Sequence, residues 1–166
     1  MHQVGDQVVY GVHGVCVISG LEQRRVDRKN VEYFVLSPLD QPGASYLVPT
    51  GNALAVSKLR PLLSADEILQ ILDSESVRRI HWIPEENRRK QYYRELLSGG
   101  DRTAVLAMIY TLHLHKKSQL ESGRKFHLCD DNFLQDAEKM LASEFSLILN
   151  IPRNQIGAYI RDRIFQ

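Results

Sequence analysis

Up to about residue 60 the apolar residues come in short runs and alternations. Beyond Pro61 they recur every three or four positions. The first pattern predicts strands. Residues 7–10 are short and β-prone, and residues 14–25 are rich in Val and Ile, with Gly20 marking a bulge or sharp bend. Residues 31–36 form a strong strand signal, and residues 44–48 another, closed by Pro49. Turn clusters at 11–14, 27–30 and 40–43 separate them. Short strands at this spacing predict a small antiparallel barrel or bent sheet, with a thin core for its size.

The second pattern predicts helices. Ser64-Ala65-Asp66-Glu67 has the form of a capping box ahead of Ile68, Leu69, Ile71 and Leu72. Pro84-Glu85-Glu86 reads as a helix start, with acids at the positive end of the dipole. That helix should run to about Ser98 and stop at Gly99-Gly100. Asp101 can cap the next, whose apolar face is Val105, Met108 or Ile109, and Leu112, with Gly123 as its breaker. Asp130 or Asp131 opens a further helix carrying Phe133, Ala137, Met140, Leu141, Phe145 and Ile148, with Glu144 as the polar exception on that face. Pro152 starts a last one with Ile156, Tyr159, Ile160 and Ile164. The expected fold is α+β: a Tudor-like or SH3-like all-β barrel over residues 1–60, then an all-α domain over 61–166.

Composition is that of a folded domain rather than a disordered one, at 43% hydrophobic and 25% charged. No apolar run approaches the roughly 20 residues of a membrane span, and the N-terminus shows no secretory pattern, so the expected compartment is the cytoplasm. The two cysteines, Cys16 and Cys129, lie far apart and form no CxxC pair. Both sit in apolar surroundings and read as small buried hydrophobes, with neither a disulfide framework nor a zinc site.

Six histidines are present, but no HExxH, GxSxG or GxxxxGK[ST] pattern. His113 and His115, two apart on a helix, point in different directions. Gly11-Val12-His13-Gly14 lies between strands and reads as a turn, since no helix follows to cradle phosphate. No enzyme, metal or cofactor is implied.

Net charge is only +1, yet the charge is unevenly spread. Residues 63–76 carry only acids, and bases dominate residues 77–126. A local positive field can attract phosphate whatever the global balance. The most informative stretch is Arg78-Arg79-Ile80-His81-Trp82-Ile83-Pro84-Glu85-Glu86-Asn87-Arg88-Arg89-Lys90, which holds the only tryptophan between two basic clusters. An aromatic ring at a helix start can stack on an unpaired base or wedge into a base step. A lone tryptophan is more often core, and a basic helix face more often simply solvated. In the β-domain, Gln23-Arg24-Arg25-Val26 puts two arginines beside an apolar residue. It fits a partner-binding edge or an ordinary hairpin equally well.

The opening Val4-Gly5-Asp6-Gln7-Val8-Val9-Tyr10-Gly11-Val12-His13-Gly14-Val15 resembles that of the CarD/CdnL family of bacterial transcription regulators. The same opening introduces the polymerase-binding module of the transcription-repair coupling factor. Tyr33-Phe34-Val35-Leu36 and Tyr46-Leu47-Val48-Pro49 resemble that module's later strands. The likeness continues through Trp82, Asn87-Arg88-Arg89-Lys90, Leu97-Ser98-Gly99-Gly100-Asp101 and the helix from Asp131 to Leu149, and so covers nearly the whole chain.

The resemblance implies a β-domain that binds the β subunit of bacterial RNA polymerase by strand-to-strand contact. It implies a helical domain that lies on promoter DNA at the upstream edge of the bubble. Trp82 would wedge into the minor groove, with Arg88, Arg89 and Lys90 on the backbone. Arg24 and Val26 match polymerase-interface positions, with Tyr46 and Leu47 beside them. The outcome would be a longer-lived open complex, with ribosomal RNA promoters as targets and a monomer as the working state. The competing expectation is a protein-interaction module with no direct DNA contact. Two departures stand out: Leu47 replaces an arginine that some members carry, which predicts a more apolar patch around Tyr46 and Leu47, and Ile83-Pro84-Glu85-Glu86 separates the tryptophan from the basic run.

Overall fold

The computed structural model describes residues 2–166. The chain divides into two compact units, one ending at Leu62 and the other spanning Leu63–Gln166.

The first unit is a five-stranded antiparallel sheet: β1 (Gln7–Tyr10), β2 (Val15–Val26), β3 (Lys29–Pro38), β4 (Tyr46–Pro49) and β5 (Leu59–Arg60), in the order β4-β3-β2-β1-β5. A single turn of 3₁₀ helix at Gly11–His13 joins β1 to β2, where Gly11 and Gly14 take positive φ of 51° and 72°. The register of β2 on β3 shifts between Ile18 and Gly20, so the bend expected at Gly20 is a β-bulge. The β2–β3 hairpin is longer than its sequence pattern indicates. It turns on Asp27 and Arg28 alone, both at positive φ (49° and 66°), the two-residue geometry that matches strand twist.

A short helix, α1 (Ala53–Ser57), capped by Asn52 Oδ1 accepting from the Ala55 N–H, links β4 to β5. Neither α1 nor β5 has a sequence signal. Ala55 and Val56 of α1 pack on the sheet core of Val8, Cys16, Ile18, Leu36, Val48 and Leu59.

The second unit is all helical: α2 (Ala65–Leu72), α3 (Glu86–Gly99), α4 (Arg102–Glu121), α5 (Leu128–Leu149) and α6 (Arg153–Ile164), with a 3₁₀ turn at Glu75–Arg78. The α+β division is as expected. Ser64 and Glu67 close the capping box on α2. Gly100, at φ 70°, ends α3, and Asp101 Oδ1 accepts the Ala104 N–H to start α4. Two starts differ from expectation. Helix α3 begins at Glu86, after Pro84 rather than with it, and Glu85 caps it, its carboxylate accepting the Asn87 and Arg88 N–H groups. Helix α5 begins at Leu128, which puts Asp130 inside its first turn.

The core of this unit joins Ile68, Leu72, Val77, Tyr93, Leu97, Ile109, Leu112, Leu141, Phe145, Ile156 and Ile160. Glu144 is buried within it. Its Oε1 accepts from Arg102 Nε at 2.8 Å, and its Oε2 from Arg102 Nη2 at 2.7 Å and the Leu63 N–H at 2.8 Å.

Candidate nucleic-acid and partner interfaces

Trp82 lies in the irregular segment between the 3₁₀ turn and α3. It is half-buried against the helical core. Its ring stacks on His115 of α4, with centroids 3.6 Å apart and planes 16° apart. The Arg89 guanidinium carbon stands 4.4 Å from the ring centroid, within cation–π range. The flanking backbone is tied on both sides. The His81 N–H donates to Thr111 Oγ1 at 3.2 Å, and Arg89 Nη1 donates to the carbonyls of Ile83 (3.0 Å) and Pro84 (3.4 Å). Ile80, two residues earlier, is 64% exposed, and Arg79 and His81 are exposed with it.

The three bases expected on DNA phosphates differ in placement. Arg88 is exposed. Lys90 is half-buried and pairs with Glu86 at 3.2 Å, and that contact holds the Glu86 carboxyl below its usual range. Arg89 is only 3% exposed. Its Nε and Nη2 donate to the two oxygens of Asp130 at 2.9 and 3.1 Å, a bidentate pair inside the protein. The expectation of Arg89 on a phosphate is corrected on this point: its guanidinium faces Asp130, Trp82 and two carbonyls instead of solvent.

The signal for this is in the sequence. Arg89, Tyr93 and Leu97 are four apart and form the buried stripe of α3. Tyr93 carries a hydroxyl with no partner among the described residues, and burial pushes its ionisation above the ordinary tyrosine range. His115 carries no sequence signal beyond its spacing from His113. The two do diverge, since His113 bonds to Glu138 at 2.8 Å while His115 faces Trp82. Burial holds the His115 imidazole below its usual range against the opposing pull of Asp130, with Arg89 and His127 lowering it further. Phe126 continues this aromatic group, its centroid 6.2 Å from His115 and its ring 5.6 Å from Lys116 Nζ.

In the β-unit, strand pairing sorts the four expected partner-binding residues into two faces. Leu36 and Val48 are core, and Leu36 pairs with Tyr46, so Tyr46 is on the core side. Its ring lies 4.0 Å from that of His13 and its hydroxyl donates to Gln41 at 3.2 Å. Leu47 pairs with Val35, and Arg24 with Val31, which puts Arg24, Val26 and Leu47 on the opposite face with Val31, Tyr33 and Val35. A joint Tyr46–Leu47 patch therefore does not form, because strand neighbours point to opposite sides. Arg24 pairs on the surface with Glu22 at 3.0 Å. β4 hydrogen-bonds to β3 on one side only and so ends the sheet.

Among the described residues no group of His, Cys, Asp and Glu has a metal-binding arrangement, and no helix is long and apolar enough to cross a membrane. Residues 2–61 match the family model of the CarD-like/TRCF RID domain, so the β-unit is a domain of that family. The whole chain is similar to a putative transcription factor. Over 163 residues it is 24% identical to the putative transcription factor YdeB of Bacillus subtilis (strain 168), covering 96% of this chain and 99% of that protein. That similarity runs past the RID domain through the helical unit.

Proposed function

We propose that the protein binds the β subunit of RNA polymerase through its β-unit and holds promoter DNA with its helical unit, prolonging the open complex. The observation that carries this reading is the RID-domain match over residues 2–61. The unpaired edge of β4 suits strand-to-strand addition, and Arg24, Val26 and Leu47 share one face of the sheet. On DNA, Trp82 serves as the minor-groove wedge at the upstream bubble edge, with Arg88 and Lys90 on the backbone. Specificity then comes from bubble stability rather than base readout.

A wedge stabilises the open state only by its preference for melted DNA. Base–aromatic stacking of about 1–3 kcal/mol shifts that balance roughly 5- to 150-fold. No catalysis, metal or cofactor is needed. The protein works as a cytoplasmic monomer brought to the nucleoid by polymerase, with ribosomal RNA promoters as targets.

The contact of Trp82 with His115 and the helical core favours a second reading, in which Trp82 is structural and the chain binds protein only. The test is the lifetime of polymerase–promoter open complexes with wild type, Trp82→Ala and Arg24→Glu, each confirmed as folded. A longer lifetime with wild type, lost in both variants, supports the first reading. A folded Trp82→Ala that keeps the full effect supports the second. No effect of wild type refutes open-complex stabilisation.

A further inference from the structure

Arg89 sits between two neighbours expected on DNA, yet its own guanidinium is turned inward. Each of its three nitrogens has a protein partner. Nε and Nη2 take the Asp130 carboxylate, and Nη1 takes the carbonyls of Ile83 and Pro84. The same group stands over the Trp82 ring at 4.4 Å. Only a planar fork with donors on separate edges can serve a carboxylate, a backbone turn and an aromatic face together, and a lysine cannot. Asp130 is fully buried in the first turn of α5, so the fork is anchored to a packed helix.

We propose that Arg89, clamped by Asp130, is the positioning residue of Trp82. It fixes the pose of the ring and so sets how tightly the helical unit holds melted DNA. The second half of that statement rests on the wedge reading above. A ring held in one pose loses little freedom on binding, whereas a loose one must be ordered by the DNA. The spacer Ile83-Pro84-Glu85-Glu86, which separates Trp82 from the bases in sequence, is folded back by this clamp: two of its carbonyls are the ones Arg89 holds.

The test uses the full chain and a labelled promoter duplex with a pre-melted bubble. Trp82 is the only tryptophan, so acrylamide quenching of its fluorescence reads its pose without DNA. Arg89→Lys keeps the charge and removes the fork. Its quenching should rise and its DNA affinity fall on the order of tenfold. The slope of log affinity against log salt should stay at the wild-type value. If Arg89→Lys does not fold, the double variant Arg89→Met/Asp130→Leu removes both buried charges and is read in the same way. In this variant a slope smaller by about 0.9 would mean a lost phosphate contact and would overturn the proposal. Unchanged quenching overturns it too, as does a loosened ring with unchanged affinity where Trp82→Ala itself loses affinity. Failure of the wedge reading shows separately, as a Trp82→Ala variant that binds the bubble like wild type. The quenching result then still decides whether Arg89 positions the ring.

Discussion

Replacing Glu144 by alanine should cost the helical unit about 4 kcal/mol. Glu144 is 1% exposed, and its partner Arg102 has a side chain 10% exposed. Deleting the carboxylate leaves a desolvated guanidinium without this partner, a loss of roughly 3–5 kcal/mol when one half of a buried pair is removed. It also orphans the Leu63 N–H, worth roughly 1–3 kcal/mol. The two losses share one carboxylate and overlap, so their sum is an upper bound. Glu144→Gln keeps an acceptor for Leu63 and should cost less than alanine. The double variant Arg102→Met/Glu144→Leu removes both charges and should cost less, about 1–3 kcal/mol, chiefly for the orphaned N–H. Urea unfolding followed by Trp82 fluorescence reads this unit alone, since the sole tryptophan lies within it. On heating, the alanine variant should melt roughly 12 °C or more below wild type. A double variant as unstable as Glu144→Ala would refute the reasoning, because loss of one half of a buried ion pair would then not be the cause.

Three further outcomes are expected. Arg28 pays for a positive φ of 66° in the β2–β3 turn, so Arg28→Gly should stabilise the β-unit by about 1 kcal/mol, measured by urea titration of its circular dichroism, and destabilisation would contradict the turn geometry. Because burial keeps the His115 pKa below its ordinary 6.5, the unfolded chain takes up the proton first as pH falls. The His115 contribution is therefore fully present above pH 6.5 and lost as pH drops toward the folded value, and His115→Phe should flatten the fall in Trp82-monitored stability over that window. Cys16 is fully buried and its thiol is pushed up to about 11 by burial, with Asp40 adding to it, so a disulfide reagent at pH 8 should release one equivalent from native protein, slowly from Cys129, and a second only on unfolding.

The parts legible in the sequence are those set by local chemistry. The Ser64–Glu67 box, the Gly100 stop, the Asp101 cap and the Gly20 bend each depend on a few adjacent residues. Helix α1 and strand β5, with five and two residues, depend on the sheet they complete and have no periodicity to read. Asp130 resembles a cap because acids favour helix starts, and only the arrival of Arg89 from 41 residues away makes it a buried anchor. As part of a run of charge, Arg89 resembles one of three phosphate binders. Read as a helix face, it belongs with Tyr93 and Leu97. The Tyr46–Leu47 patch failed for the analogous reason on a strand, where adjacent residues face apart.

The two buried ion pairs of the helical unit share a plan. Arg89 lies in the first turn of α3 and Arg102 in that of α4, where a cation opposes the helix dipole. Each reaches a carboxylate on α5, 41 and 42 residues downstream. Asp130 and Glu144 stand about four turns apart on that helix and come round to nearly the same side. Each pair also ties irregular backbone to the core: Arg89 takes the Ile83 and Pro84 carbonyls, and Glu144 takes the Leu63 N–H. These are the places where non-helical chain meets the apolar core and its backbone groups need partners. A hydrophobic pair could fill the same volume at little cost in stability, but it would offer those groups nothing. The charges are therefore best understood as fixing where two segments lie: the one that opens the helical unit and the one that carries Trp82.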